Sequence, residues 1–470
     1  MIQLQLRPRP LRLRLPLAAL VLAVVTLVLL GAGSASRAAP ASARATRTSR
    51  SPARTPQVLP LPFDRAEGDA VFLVGARIHV GDGTIIEDGV VELRGARIAA
   101  VGGSDRMSAI PAEATRIDLA GKLLTPGIIA AHTQLGLVEI DLEGSTVDAE
   151  RNGGSPVRAG YDASMAINAD SSLIQVSAIE GITSAAVTPR GGLLSGQVAW
   201  IDLLAGDHRG IVARPRIAAA GQLGHALAGS RAEAFAGLLE VLDDARFYRD
   251  RRTAHERREL RDLAAHRLDL DALGSVLDGQ VPLVVYADRA SDLLALAELA
   301  KSTGMRVAVV GGAQGWKVAD ALAEADIPVI VQPSANLPDS LDQIGARMDN
   351  AALLHQAGAR VGIAVLGEAH NVRNVTQEAG IAVANGLPAE VALRAVTLEL
   401  ARIYGMDDHY GSIAPGKVAN LVIWDGDPFE LSQWPVAVWV RGQPIPMRSR
   451  QTLLRDRYRV LDRFGEDRDE

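Results

Sequence analysis

Residues 126–136, Pro126-Gly127-Ile128-Ile129-Ala130-Ala131-His132-Thr133-Gln134-Leu135-Gly136, decide how the rest of the chain is read. Ile128 to Ala131 is an apolar run of strand length, introduced by a Pro-Gly pair and followed at once by His132 and Gln134. A neutral imidazole is a good zinc ligand, whereas a glutamine amide is a weak one. The stretch thus offers one candidate metal ligand, His132, and one polar neighbour, Gln134.

Working outward, short apolar runs alternate with amphipathic helical stretches, the pattern of parallel βα units. Strands are expected at Ile128 to Ala131, Thr183 to Val187, Arg216 to Ala220, Pro282 to Tyr286, Arg306 to Val310, Pro328 to Val331 and Gly362 to Val365. Helices fit Asp292 to Ser302, Val318 to Ala325, Ala346 to Gln356, Thr376 to Asn385 and Pro388 to Tyr404. An eighth strand is expected between Ala220 and Pro282, beside a charged helical insertion, Ala232 to Leu273. Seven strands plus one hidden favour an eight-stranded barrel over an open sheet.

In such a barrel the reacting groups stand at the carboxyl ends of the strands. Those positions hold His132 and Gln134, then Arg190, Tyr286 and Asp288, Gly311 and Gly312, Gln332, and finally Glu368 and His370. Trp316 and Tyr286 are read as core fillers or as rings for stacking a ligand. Gly191 to Gln197 reads as a flexible loop near the mouth. It lacks a Lys-Ser/Thr ending for phosphate, and Ser195 lacks the context of a nucleophile. His255-Glu256 lacks the second histidine of a zinc-protease helix and reads as a solvated face.

The flanks have another texture. Val71 to Val74, Arg77 to Val80, Val90 to Arg94 and Arg97 to Val101 are strand-like, with turns at Gly81-Asp82-Gly83 and Arg94-Gly95-Ala96. Leu421 to Trp424 and Pro435 to Arg441 repeat the pattern. The expected architecture is therefore α/β: a (β/α)8 TIM-like barrel, 125–407, inserted in a small β-sandwich domain formed by both ends, 69–124 and 408–450. A charged tail, 451–470, follows.

The first 38 residues read as a signal peptide, with Arg7, Arg9, Arg12 and Arg14, then apolar Leu15 to Leu30, then small residues. Residues 39–68 are rich in Ala, Ser, Pro, Thr and Arg and read as a disordered linker. The expectation is export to a periplasmic or extracellular space, with membrane contact only through an uncleaved signal segment. Residues 1–54 carry nine Arg and no Lys, Asp or Glu. The remainder holds 40 Lys and Arg against 55 acids, a formal charge near −15, which argues against nucleic acid as a partner. There is no cysteine, hence no disulfide and no thiolate ligand.

Four stretches resemble the amidohydrolase superfamily, and within it the exported imidazolonepropionase-like branch. They are Leu123 to Gly127 entering His132, Leu283 to Arg289, Asn385 to Thr397, and Gly411-Ser412-Ile413-Ala414-Pro415-Gly416-Lys417-Val418-Ala419-Asn420-Leu421-Val422. The resemblance covers about Ala70 to Gln443. It implies hydrolysis of non-peptide or cyclic amide C–N bonds by metal-activated water, with one divalent metal, zinc first.

Most of the implied ligands are not retained. Gln134 stands for the second histidine, Ala130 for an acidic residue, Tyr286 for the histidine after the fifth strand, and Gly311-Gly312 for that after the sixth. Glu368 takes the place of the closing aspartate, one methylene longer. A substitute metal site would use His132 and His370 as ligands, with Asp288 and Glu368 beside them. Glu368 or Asp288 would then move the proton, and Tyr286 or Gln134 would hold the oxyanion. Gln134, Trp316 and Gln332 are the candidate substrate contacts. The rival expectation is a catalytically inactive barrel, without metal, that binds a small molecule or a cell-envelope partner. Either form is compatible with a homo-oligomer.

Overall fold

The computed structural model describes residues 70–459, apart from 151–153, 225–228 and 260. The expected signal peptide, the linker and residues 460–470 lie outside the described residues.

Strands from both flanks build one mixed sheet. Its members are β1 (Val71–His79), β2 (Ile85–Arg94), β3 (Arg97–Gly102), β4 (Thr115–Asp118) and β5 (Leu123–Pro126) from the first flank, with β14 (Leu421–Trp424), β15 (Pro435–Val440) and β16 (Gln443–Pro444) from the second. The order is β16-β15-β14-β5-β1-β2-β3, with β4 also on β1. The flanks meet where β14 runs antiparallel to β5, Leu421 opposite Pro126 and Trp424 opposite Leu123. A sandwich is the sequence expectation; the pairing found is that of a single sheet. The two runs expected at Val71 and Arg77 are one strand. Gly75, at φ +81°, absorbs an irregularity between them that a side chain would strain.

The second sheet forms the barrel. It comprises β6 (Ile128–Thr133), β7 (Ile182–Val187), β8 (Leu194–Asp202), β9 (Val212–Gln222), β10 (Leu283–Ala287), β11 (Val307–Gly311), β12 (Val329–Val331) and β13 (Val361–Ile363). Spatial order equals chain order. The ring is nearly closed: β6 and β13 stand at its two edges, and the Ile129 amide on β6 bonds the Val396 carbonyl instead, at 2.9 Å.

Two expectations are corrected here. The eighth strand does not lie between Ala220 and Pro282. The described part of that interval supplies the end of β9 and then helices, including Arg231–Asp250 and Arg267–Ala272. The missing strand is β8, which begins inside the segment read as a flexible loop. It runs antiparallel to both neighbours, so seven strands share one direction and one opposes them. All nine β8 residues are buried. Its glycine is there for close approach: a Cβ on Gly196 would lie 2.4 Å from the Tyr161 carbonyl oxygen.

Side-chain alternation sorts the barrel into two cores. Ile128 and Ala130 face outward into the layer beneath the helices. Ile129 and Ala131 face the lumen with Ala186, Val198, Val284, Val310 and Ile330. Trp200 and Tyr404 fill that lumen, 6.5 Å apart edge to face, so the barrel interior is packed.

Candidate functional site

The mouth of the barrel holds a cavity of ≈ 360 Å³ lined by Tyr286, Asp288, Gln332, Gln343 and Arg347 among others. Its floor follows from β10 and β11. Tyr286 ends the apolar run of β10, and the chain then turns Asp288 beneath the next loop, where it is 7% exposed. The Asp288 carboxylate accepts from the Ala313 amide at 3.1 Å and from Gln343 Nε2 at 2.9 Å. Burial pushes the Asp288 carboxyl up from its ordinary range, opposed by those hydrogen bonds. Burial and the neighbouring Asp288 charge hold the Tyr286 hydroxyl well above its usual range, so it stays protonated. Gln343 Nε2 also reaches that hydroxyl, at 3.3 Å.

Gly311 makes this floor possible. At φ +90°, its missing Cβ would sit 2.6 Å from Asp288 Oδ1 and 3.3 Å from the Tyr286 ring. The glycine that replaces the histidine implied after the sixth strand is therefore the residue that lets Asp288 sit there.

His132 lies on the same face. Its ring stacks on Tyr286 at 6.2 Å between centroids and 29° between planes. The residue adopts φ +51°, uncommon for a side chain other than Asn, Asp or Gly. Its Nδ1 is enclosed and has no hydrogen-bond partner, and burial pushes its pKa down to about 4. The imidazole is neutral at ordinary pH.

The other candidates are placed differently. Gln134 is buried and donates to the Thr188 carbonyl at 3.3 Å, which spends its amide within the fold. Glu368 and His370 pair with each other at 3.1 Å, both more than half exposed, on the 3-10 turn Ala369–Asn374 and its cap. Arg190 pairs with Asp141 at 2.9 Å and with Glu150 at 3.6 Å. Trp316 braces a loop: its Nε1 donates to the Gly345 carbonyl at 2.8 Å, and the Arg347 guanidinium lies 4.8 Å from the ring centre. Gln332 bonds Glu378 at 3.0 Å and accepts from the Leu366 amide at 2.8 Å; it borders the cavity but is committed to its walls.

A divalent metal needs three or more converging N or O donors. Among the described residues no group of three His, Asp or Glu side chains is placed to hold one. Of the two expected histidine ligands, His370 is exposed and paired with Glu368, while the His132 ring is enclosed against Tyr286. Tyr286, which is no ligand at neutral pH, stacks on His132, and Asp288 is already held by Ala313 and Gln343. The donor set therefore does not fit the metal that the resemblance implies.

Three residues at the mouth escape the sequence reading. Gln343 lies outside every expected helix and strand. Glu378 is buried on a correctly expected helix, where it accepts from Ser334 through both its amide, at 2.9 Å, and its hydroxyl, at 2.6 Å. Asn350 bonds the Gly312 carbonyl at 3.0 Å. Only Glu378 carries a signal, a carboxylate on the apolar face of its helix. A larger cavity, ≈ 480 Å³, lies between the flanking sheet and the helix Ala389–Ala395. Arg77 pairs there with Glu87 and Lys122 with Asp425, and no strand of the barrel sheet ends there.

Residues 242–445 match the amidohydrolase family model. An amidohydrolase, tasK, of Hapsidospora irregularis is 39% identical over 72 residues, 15% of this chain and 7% of that protein. Imidazolonepropionase of Rhizobium rhizogenes is 29% identical over 113 residues, 22% of this chain and 28% of that protein. The matched part thus spans less than a third of either curated relative. The crystal structure of an amidohydrolase from Thermotoga maritima MSB8 superposes with a TM-score of 0.72 at 22% identity, covering 80% of this chain and all of that one. The family match agrees with the amidohydrolase resemblance in the sequence, and the structural likeness shows the same fold. Among the described residues no helix is long and apolar enough to cross a membrane.

Proposed function

We propose that this amidohydrolase-like barrel binds a small polar molecule at its mouth and does not work through a metal-activated water. One observation carries the reading: the floor between Tyr286, Asp288 and Gly311 is built of hydrogen-bonding groups, and no set of metal ligands is assembled there. Asp288 supplies the fixed acceptor and Tyr286 a neutral hydroxyl, with the His132 ring stacked against Tyr286. The family match favours a second reading, hydrolysis of a C–N bond, of which the ligand losses would be a degraded form. Export of the protein, contact with a cell-envelope partner and self-association remain proposals from the sequence.

The deciding experiment measures metal content, chelator sensitivity and ligand binding on the purified chain. The binding reading expects no stoichiometric metal and an unchanged melting temperature in EDTA. It also expects Asp288→Ala to abolish binding of small polar fragments seen by ligand-observed NMR. Near-stoichiometric zinc, lost to EDTA together with turnover of an amide or lactam, would sink it in favour of the hydrolase.

A further inference from the structure

The segment after β12 crosses the cavity as a strap, from Ser334 to Asn350. It is tied at one end by the Glu378 carboxylate, which holds Ser334. At the other end Trp316 holds Gly345 and Asn350 holds the Trp316 amide, at 3.0 Å. Between these ties Arg231 pairs with Asp342, and Gln314 Nε2 donates to the Asp342 carbonyl at 3.2 Å. The strap buries little apolar surface: Leu337, Leu341 and Ile344 are 78%, 83% and 65% exposed. Polar ties hold it down, and polar ties can be exchanged for those of water or a ligand at small net expense.

Several strap residues line the pocket, and Gln343 reaches its floor. Gln343 closes the 3-10 turn Leu341–Gln343 and sends its carboxamide inward. The amide nitrogen donates to Asp288 Oδ2 at 2.9 Å and approaches the Tyr286 hydroxyl at 3.3 Å. The amide oxygen turns back and accepts from the Asp339 amide of the strap itself, at 3.0 Å. The –NH2 end thus meets the floor while the oxygen stays with the strap. Gly311 provides the space that lets Asp288 present its carboxylate in this way.

We propose that Gln343 is a built-in stand-in for the ligand, and that the molecule displacing it presents the same paired N–H donors to Asp288 and Tyr286. The inference rests on the binding reading above and adds the ligand's chemical class and the element that guards the site. A carboxylate anion would meet Asp288 with like charge and without a donor. An amidine or a primary amide would replace the Gln343 –NH2 atom for atom. While the strap is seated, the competent fraction of the protein is reduced and the apparent affinity falls by that fraction.

The test titrates three probes of one shape, benzamidine, benzamide and benzoate, into the full chain and its Gln343→Ala variant by calorimetry. Benzamidine and benzamide should bind Gln343→Ala at least about tenfold more tightly than the unaltered chain, and benzoate should bind neither. Hydrogen exchange gives a second readout that does not depend on the variant: benzamidine should speed exchange in 335–348 of the unaltered chain, as the strap lifts. Equal affinity in both proteins, or benzoate binding as well as benzamide, overturns the stand-in while leaving a binding pocket. No binding of any probe to either protein removes the pocket reading along with it.

Discussion

His132 states the residue-scale problem most sharply, because its imidazole is kept without the partners that would use it. The fold admits only the neutral ring, with a pKa near 4 against 6.5 for an ordinary histidine. As pH falls below 6.5 the unfolded chain gains a proton that the folded chain refuses until about pH 4. Stability is therefore fully present above pH 6.5 and is lost progressively down to pH 4, by up to about 3 kcal/mol. The His132→Asn variant tolerates the left-handed backbone and cannot titrate, so its urea-unfolding free energy should lose this component between pH 6.5 and 4. An unchanged slope would mean the ring is solvated. Gly311 makes the complementary prediction. Gly311→Ala places a methyl group 2.6 Å from Asp288 Oδ1 at φ +90°, and should weaken ligand binding tenfold or more while destabilising the fold by about 1–3 kcal/mol. Ligand titration alongside thermal unfolding separates the two effects. The sequence identifies His132, Tyr286 and Asp288 as neighbours at strand ends, because strand ends are set by apolar run length. It places Gly311 among those strand ends without revealing its role, since a glycine carries no chemistry until its missing Cβ is seen to make room for another side chain.

At the scale of elements, β8 is the strand whose reading went astray. Leu194 to Asp202 contains Gly196 and follows Gly191-Gly192, and glycines in a row resemble a loop. Their purpose is contact: Gly192 would place a Cβ 2.5 Å from the Pro156 carbonyl oxygen, and Gly196 would meet Tyr161 and Pro189. Gly196→Ala should therefore cost about 2–4 kcal/mol, as a buried steric clash at φ +140°. Gly206→Ala, which has open space at φ +81°, should cost only about 1 kcal/mol of backbone strain. Similar losses at both positions, measured by urea unfolding, would refute the close-approach account. The parallel strands were legible because both their faces are buried, giving unbroken apolar runs. The strap over the mouth was not, because a segment held by Arg231, Trp316 and Glu378 from elsewhere in the chain needs no periodicity of its own.

For the molecule as a whole, the question is what fixes the flanking sheet to the barrel. Val422, Trp424, Val438 and Val440 of that sheet share an apolar cluster with Ile128 and Ile182 of the barrel, and a buried ionic cluster adds the directional part of the joint. Asp202, at the end of β8 and 0% exposed, accepts from Ser184 Oγ on β7 at 2.7 Å and from Asn420 Nδ2 at 3.1 Å. It also accepts from the Tyr410 hydroxyl at 3.0 Å and from Arg441 Nε at 2.7 Å. Asn420 stands immediately before β14 and Arg441 immediately after β15, so the cluster ties both strands to two barrel strands. The Asn420 Oδ1 acceptor is itself taken by the Arg441 amide at 2.8 Å, an arrangement in which the amide serves as both donor and acceptor, as a carboxylate could not. A buried pair is poor evidence of net stabilisation, but removing one member strands the other. Arg441→Met should leave Asp202 charged and short of one donor, at a loss of about 3–5 kcal/mol. Adding Asp202→Asn should then recover part of that loss, because the stranded charge disappears. A double variant as unstable as the sum of the two singles would mean that the cluster acts as independent hydrogen bonds rather than as one ionic joint.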